Sequence, residues 1–317
     1  MAIKKVTREE AIKNNMEREK KRQQEQGNED LSSSDEIKTS LPKCTHNMKI
    51  PNDTCLILQD SKVQIENFAL KLYRFAIFDE NKGYKLQKSY SIEDSAWGEI
   101  NSKITIYYDT IQKLNPNNFD KSYETSYRLV IGGEATVYET SMRLHHIYGI
   151  PYIPASGIKG VVRSYIITEK FDGKEEKALA DKSFIDIFGG QKIGSEDLSS
   201  PKNLGEVETS LPMRAGKVTF FDAFPIVKPT LKVDIMTPHY GDYYSDKKNK
   251  VAPTDTMKLN PIPFLTVENT TFRFMMGAKE GLEAFMIQGK KIEDWLTEAL
   301  KEHGLGAKTA VGYGYLE

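Results

Sequence analysis

Residues 148–163 read YGIPYIPASGIKGVVR, and this stretch predicts an extended approach that turns into a helix. Pro151 and Pro154 disfavour helix before that point, whereas Ser156 can cap a helix that runs to about Lys170. The apolar residues of this helix recur at three- and four-residue spacing on one face, namely Ile158, Val162, Tyr165 and Ile166. We therefore expect a core-facing helix with a proline-framed start.

The start of this helix also predicts an anion site. Backbone N–H groups are free in the first turn of a helix, and the helix dipole favours negative charge there. Ser156 and Gly157 lie in that turn, while Lys159 and Arg163, four residues apart, project together from the helix flank. The alternative is an ordinary capped core helix whose two basic side chains are simply solvated.

The patterns on either side of the helix predict an α+β fold. Alternating residues or short apolar runs predict strands at 127–131, 218–224, 231–235, 272–276 and 312–316. A second amphipathic helix is predicted from Ile292 and ends at Gly304. Without insertions at about 171–212 and 236–262, the order is strand, helix, strand, strand, helix, strand, with one additional strand near Phe272. This order is typical of a ferredoxin-like, RRM-type core.

The chain divides into three regions by composition. Residues 1–45 mix both charge signs with few apolar residues, which predicts a charged, partly flexible extension. Residues 46–120 are predicted to be mainly helical, and residues 121–317 contain the ferredoxin-like core. The N-terminus lacks the apolar stretch of a signal peptide, and no apolar run is long enough to span a bilayer. We therefore expect a cytoplasmic protein without a membrane partner.

Charge is distributed unevenly along the sequence. The formal net charge of the 317 residues is −1, which argues mildly against a general nucleic-acid binder. However, no Asp or Glu occurs between Glu139 and Glu169, or between Glu302 and Glu317. The first window carries Arg143, His145, His146, Lys159 and Arg163. Both windows are predicted contact surfaces, because affinity for phosphate depends on local clustering of basic groups.

The second acid-free window contains HGLGAKTAVGYGY at 303–315. Closely spaced glycines let a backbone approach a phosphodiester chain, and a lysine and a threonine supply a charge and a hydroxyl. The residues predicted to contact such a phosphodiester chain here are Gly304, Gly306, Lys308, Thr309, Gly312 and Tyr313. The stretch is not a P-loop, because Ala307 separates glycine from lysine and the loop follows a helix instead of a strand. A flexible C-terminal turn is the alternative.

A third motif reads DIMTPHYGDYYSDKKNK at 234–250. Its aromatic and basic residues are interleaved, which suits contact with the bases and backbone of a nucleic acid. The residues concerned are His239, Tyr240, Tyr243, Tyr244, Lys247, Lys248 and Lys250. A loop of this length is usually either functional or disordered.

Together these motifs resemble the RAMP superfamily of CRISPR effector proteins. The proline-framed helix start, IPASGIKG at 153–160 followed by Arg163, and the glycine-rich loop at 304–314 are similar to its two signatures. DIMTPHY at 234–240 with PIPFLTV at 261–267 resembles, more narrowly, the sixth-subunit family of the type III-B (Cmr) assembly. The resemblance covers about residues 125–317, and Ala155 departs from the glycine that many relatives have.

This resemblance implies a non-catalytic subunit that caps one end of the effector filament near the 3′ end of the CRISPR guide RNA. It implies contacts between that RNA and both the glycine-rich loop and the first helix of the core, and we expect these two to lie side by side on one sheet. It also implies a thumb-like insertion at 236–262 against the guide–target RNA duplex, and other Cmr-type subunits as partners. We expect no cofactor and no metal.

A guide-processing endoribonuclease of the same superfamily is one alternative function. Such an enzyme would use His145 or His146 as general acid or base, with Lys159 or Tyr148 nearby. As adjacent residues on a strand, the two histidines are expected to point to opposite faces, so at most one of them enters a site.

Two further alternatives are metal-assisted cleavage and plain protein binding. Asp222 and Asp234 fall within predicted strands, and Asp120 falls in a predicted loop without an identified partner, so no carboxylate cluster with metal-ligand spacing emerges. A protein-interaction adaptor without RNA contact would keep its protein partners when the basic residues are reversed in charge.

Overall fold

The computed structural model describes residues 50–58, 65–79, 83–84, 86–115, 117–132, 136–138, 140–190, 214–245, 252–257 and 259–317. The predicted extension at 1–45 and residues 191–213 lie outside these ranges. In the ranges described, no helix combines the length and the apolar character needed to cross a bilayer.

Helices and one hairpin form the region before the predicted core. The elements are α1 (Asn52–Leu58), a π-helical turn (Leu70–Arg74), β1 (Phe78–Asp79), β2 (Gly83–Tyr84) and α2 (Asp94–Leu114). Helix α2 buries residues at helical spacing, among them Ile104 and Tyr108. The Tyr108 hydroxyl accepts a hydrogen bond from the Phe224 N–H and donates one to the Arg273 carbonyl oxygen, both at 2.8 Å. Hydrogen bonds as well as apolar contacts therefore fix α2 to the strands.

The rest of the chain alternates strands with helices. In chain order its elements are β3 (Phe119–Glu124), β4 (Arg128–Leu129), α3 (Ala155–Lys170), α4 (Glu175–Leu179), α5 (Lys182–Phe188), β5 (Gly189–Gly190), β6 (Arg214–Ala215), β7 (Val218–Phe220), β8 (Phe224–Pro225), β9 (Thr230–Met236), α6 (Gly241–Ser245), β10 (Ile262–Glu268), β11 (Thr271–Ala278), β12 (Met286–Ile287), β13 (Lys290–Lys291) and α7 (Ile292–Glu298). A 3₁₀ turn at Leu282–Ala284 lies between β11 and β12, and a π turn at Ala299–His303 and a 3₁₀ turn at Thr309–Val311 follow α7.

Two antiparallel sheets hold the longer strands. The first has the strand order β4-β10-β9, and the second has the order β3-β11-β7, with β8 also paired to β11. Strands β10 and β11 are central, and most of their residues are buried on both faces. This burial explains why both strands read as nearly continuous apolar runs.

Helix α3 connects the second sheet to the C-terminal helix. It packs against β7, and it also contacts α7 and the π turn at Ala299–His303. The face predicted from the sequence is buried in full, which confirms it: Ile158, Val162, Tyr165 and Ile166 are at most 5% exposed. Buried residues of α2, α3, α7 and both sheets belong to one hydrophobic cluster. The helices and the sheets therefore share a single core.

The fold is α+β, as predicted, but several details differ from the sequence prediction. The strand expected at 312–316 is absent from the described structure, because Gly312 and Gly314 have φ values of +95° and +79°, which an extended strand does not allow. Only Leu316 bridges to Thr125. Asp120, expected in a loop, lies in β3. The strand expected at 218–224 is divided into β7 and β8, with Asp222 between them.

Candidate nucleic-acid interface

The glycine-rich loop at 304–314 packs against the end of β4. The Ala307 N–H donates to the Val130 carbonyl oxygen at 2.9 Å, and the Gly314 N–H donates to the Arg128 carbonyl oxygen at 2.7 Å. A Cβ added at Gly306 would stand 2.3 Å from the Val130 oxygen, and Gly306 has φ +88°. The close approach that this glycine permits is therefore an approach to protein backbone, where the sequence predicted an approach to phosphate.

Lys308 and Tyr313 take different roles in this loop. The Lys308 ammonium lies 5.0 Å from the centre of the Phe264 ring, a cation–π contact that places it over β10. Thr309 is half-buried, and its carbonyl oxygen accepts a hydrogen bond from the Tyr315 hydroxyl. Tyr313 is only 8% exposed and packs with Val130 and Phe264. The ring is therefore inside the protein, and the predicted contact of Tyr313 with RNA stays a prediction.

A buried ionic network explains the position of Tyr313. Its hydroxyl donates to the Asp234 carboxylate at 2.5 Å, and Arg128 donates to Asp234 at 2.7 Å and to Glu268 at 2.9 Å. Burial opposes ionisation of Asp234, but hydrogen bonds from Tyr313 and the Ile235 N–H, with the Arg128 charge, outweigh burial and lower its pKa. Burial and the Asp234 carboxylate raise the pKa of Tyr313. The network joins the glycine-rich loop to β9, the strand that leads into the insertion.

The start of α3 is capped by a residue that the sequence did not indicate. Pro154 is the residue before the helix, and the Ala155 N–H donates to Asp222 Oδ1 at 2.6 Å. Ser156 makes no capping hydrogen bond and is exposed, so its predicted role as the cap is wrong. A carboxylate of the same chain therefore already occupies part of the helix start at which the sequence predicts an anion site.

The two basic residues of α3 have separate surroundings. Arg163 forms an ion pair with Glu175, and its guanidinium lies 5.4 Å from the centre of the Phe184 ring. Lys159 is half-buried and lies one turn closer to the helix start. The alternative that both charges are simply solvated is therefore wrong for Arg163, whose charge faces a carboxylate of the same chain. The predicted contact of both residues with RNA stays a prediction.

The two histidines lie in a turn and not on a strand. Residues 146–148 form a turn between Leu144 and Pro151, which bridge to each other. The rings of His145 and His146 stack at 4.9 Å, and His145 also stacks on Tyr148 at 4.6 Å. The prediction that they point to opposite faces is wrong, because it assumed a strand.

His145 is bound in a way that disfavours general-base catalysis. Its Nδ1 accepts a hydrogen bond from the Tyr148 N–H at 3.2 Å, so the neutral ring carries its proton on Nε2. Burial lowers the pKa of His145, the neighbouring His146 lowers it further, and only Asp222 opposes them. The ring is therefore held neutral, without an available lone pair. His146 is exposed.

A cavity of about 660 Å³ lies beside this turn. Its wall includes Arg143, His146 and Tyr152 from the acid-free window, and Tyr73 and Arg74 from the π-helical turn before the core. The sequence prediction included Arg143 and His146 but missed the other three. No motif in the N-terminal region indicated that it contributes to a site, because the contact depends on tertiary packing.

The aromatic residues of the insertion are partly exposed. Helix α6 carries Tyr243 and Tyr244, which are 39% and 78% exposed, and His239 before it is exposed as well. Tyr240 donates a hydrogen bond to Asp255 at 3.2 Å. Three lysines of the predicted thumb, Lys247, Lys248 and Lys250, lie outside the described residues.

The two predicted contact regions lie on different sheets. Lys308 is over β10 of the first sheet, whereas α3 packs against β7 of the second, so the expectation of one shared sheet is wrong. Two neighbouring residues after β4 connect the two regions. The Val130 carbonyl oxygen accepts a hydrogen bond from the glycine-rich loop, and the Ile131 carbonyl oxygen accepts one from the Arg143 N–H. The turn with the histidines thus follows directly from the loop contact and leads into α3.

The α+β architecture and the glycine-rich loop define a known class of protein. The RAMP superfamily model matches residues 122–317, and the chain belongs to that superfamily. This match agrees with the range of about 125–317 over which the motifs resemble the family.

Two curated proteins place the resemblance within the superfamily. The CRISPR system Cmr subunit Cmr6 of Pyrococcus furiosus is 35% identical over 253 residues, which cover 66% of this chain and 71% of that protein. The CRISPR system CMR subunit Cmr6 of Saccharolobus solfataricus is 25% identical over 269 residues, which cover 79% of this chain and 80% of that protein. The predicted resemblance to the sixth Cmr subunit is therefore confirmed.

Two solved structures are similar to parts of the chain. One is a chain of the type III-B Cmr-beta complex bound to cognate target RNA, with 28% identity and a TM-score of 0.46. The match covers 68% of this chain and 65% of that chain, slightly under two thirds of its length. The other is the Cmr6 crystal structure from Pyrococcus furiosus, with 32% identity, a TM-score of 0.34, and coverage of 63% and 97%. The family assignment rests on the sequence matches.

Proposed function

We propose that this chain is a non-catalytic, guide-RNA-binding subunit that caps one end of a type III-B (Cmr) CRISPR effector complex in antiviral defence. Its partners would be the CRISPR guide RNA, the guide–target duplex and other Cmr-type subunits, and its core would be ferredoxin-like. The observation that carries the proposal is the acid-free window. Its basic side chains lie on residues 143–146, which lead into the turn, and on the adjoining helix of a chain whose net charge is −1.

The proposed RNA contacts come from three parts of this surface. Residues 143–146 supply Arg143 and His146, α3 supplies Lys159, and the glycine-rich loop supplies Lys308. The glycines and Tyr313 shape the loop that carries Lys308. The exposed aromatic residues of α6 fit a thumb, because flat apolar rings that reach into solvent suit stacking on bases.

The chemistry of the turn supports a binding role over an endoribonuclease. His145 has its Nδ1 occupied and its pKa lowered, so it lacks the free basic nitrogen that general-base catalysis requires. Asp222, the carboxylate whose charge raises the pKa of His145 against the other effects, already accepts the Ala155 N–H. Within the described residues, no three His, Cys, Asp or Glu side chains gather as a metal site would require.

Co-purification tests the proposal. The tagged full chain, expressed with its neighbouring subunits, should retain small RNAs of uniform length. The double variant Lys159→Glu/Lys308→Glu should keep the protein partners and lose most of the RNA. The slope of log RNA affinity against log salt concentration should be less steep by about 0.7 for each lost phosphate contact. The matched control is Lys103→Glu, on the exposed face of α2.

Two results would contradict the proposal. If the double variant keeps both its proteins and its RNA like the control, the chain is an adaptor. If purified protein cleaves labelled repeat RNA and His145→Ala or His146→Ala abolishes the cleavage, the chain is a processing enzyme.

A further inference from the structure

The cavity beside the histidine turn is built from two distant parts of the chain. The Tyr73 hydroxyl donates to the Met142 carbonyl oxygen at 2.6 Å and accepts from the Met142 N–H at 2.9 Å. The Asn67 amide donates to the carbonyl oxygens of His146 and Ile147 at 3.3 and 3.0 Å. These bonds hold the segment 67–74 against the turn, and the cavity lies between them.

Gly149, next to the turn, packs closely against residues 67 and 68 of the N-terminal segment. Gly149 has φ +68°, and a Cβ there would stand 2.4 Å from the Asn67 side-chain oxygen and 2.7 Å from the Phe68 nitrogen. Only glycine meets both conditions, because other residues rarely adopt this φ and have no space for a side chain. The position of the N-terminal wall is therefore set by specific contacts.

The wall of the cavity is basic and partly aromatic. Arg74, Arg143 and His146 are its basic groups, and none of its described lining residues carries a carboxylate. Tyr152 stacks on Phe224 at 5.6 Å, and His146 stacks on His145. Each of these two rings therefore has one face covered by another ring. The volume of about 660 Å³ falls within the range of about 300–1,000 Å³ that is usual for pockets that take small ligands.

We infer that this cavity takes one unpaired nucleotide of a single-stranded RNA, with its base against His146 and Tyr152 and its phosphate against Arg74 and Arg143. Supported aromatic rings bind bases of any sequence through their faces, and guanidinium groups bind phosphate through paired N–H donors. The inference rests on the proposed function and deepens it. It assigns a role to residues 67–74, which precede the family match and complete the site.

The test uses the full chain and a fluorescein-labelled single-stranded RNA of 12 mixed nucleotides, about the length that one module covers. Arg74→Glu should weaken binding, and its plot of log affinity against log salt concentration should be less steep by about 0.7. When the salt concentration rises fourfold, the loss of affinity should therefore be about 2.6-fold smaller for this variant than for the wild type. His146→Ala should weaken binding by about 5- to 150-fold, the equivalent of 1–3 kcal/mol for one stacked base. Lys103→Glu, with its exposed side chain on α2, should bind within twofold of the wild type.

Cross-linking locates the bound nucleotide. The same RNA with one 4-thiouridine, irradiated on the wild-type protein, should cross-link to peptides that contain Tyr73, His146 or Tyr152.

Arg74 is exposed, so its substitution leaves the core intact, and a thermal unfolding curve that matches the wild type checks this.

The outcomes separate this inference from the proposed function. If wild-type protein binds RNA but Arg74→Glu and His146→Ala bind like Lys103→Glu, the cavity inference is wrong and the proposed function stands. If Arg74→Glu instead loses a co-purifying subunit and keeps the RNA cross-link, the cavity takes a protein segment, which also overturns the inference. If the wild type neither binds the probe nor carries RNA in its complex, both fail.

Discussion

Replacing Tyr313 with phenylalanine distinguishes a structural role for this residue from an RNA contact. Tyr313→Phe keeps the buried ring and removes only the hydroxyl that donates to Asp234 at 2.5 Å. A hydrogen bond to a charged group contributes about 1.5–3 kcal/mol to stability, and the remaining carboxylate stays bound to Arg128. We therefore expect the free energy of unfolding at pH 7 to fall by about 1.5–3 kcal/mol.

The pH dependence of this loss has a definite sign. The folded-state pKa of Asp234 is lowered, so its contribution to stability is present above its unfolded pKa and is lost as pH falls through the folded pKa. Once Asp234 is protonated, the hydroxyl bonds to a neutral acid, and the difference between variant and wild type should shrink to about 0.5–1.5 kcal/mol. Urea unfolding of both proteins in a series from pH 7 to acid measures this.

The refuting result is equally specific. If Tyr313→Phe changes the free energy of unfolding by less than about 0.5 kcal/mol at every pH, the network does not hold the loop as argued. If stability is unchanged while RNA affinity falls, the hydroxyl contacts RNA instead. A variant with both losses supports the structural role, because a loosened loop also displaces Lys308.

Two further predictions concern the cap of α3 and the glycines of the loop and of α3. Asp222→Ala should lower the free energy of unfolding by about 0.5–2 kcal/mol, because the acceptor that caps α3 is lost, whereas Ser156→Ala should change it by less than about 0.5 kcal/mol. Chemical denaturation compares the two variants, and equal losses would contradict the assignment of the cap. Gly306→Ala should destabilise by more than about 1 kcal/mol, because its Cβ meets the Val130 oxygen, whereas Gly160→Ala within α3 meets nothing within 4 Å and should stabilise by up to about 1 kcal/mol. A neutral Gly306→Ala would show that the loop can leave β4 without cost.

Helical periodicity predicted the packing of α3 correctly. A repeat of three and four residues fixes which side chains share a face, and the shared face must be buried for the helix to be stable. Ile158, Val162 and Tyr165 are therefore predictable from the sequence alone. The glycine-rich loop and the acid-free windows were also identified from the sequence, because both are local features of it.

The partners of charged residues could not be predicted in this way. Asp222 caps a helix that begins 67 residues earlier in the chain, and Asp234 binds a tyrosine 79 residues later. No local pattern encodes such pairs, since only the folded chain brings the two ends together. The cavity was missed for the same reason. Its second wall at 67–74 comes from a region without a recognised motif.

The hydroxyl of Tyr108 sets a limit on how this protein can be shortened. A fragment cut to the family match would begin at residue 122 and would lack α2. It would expose the Phe224 N–H and the Arg273 carbonyl oxygen, which Tyr108 satisfies, and uncover the apolar surface of β8 and β11. Sequence families mark where relatives agree, but we expect a stable fragment of this chain to keep α2 and therefore to begin before Asp94.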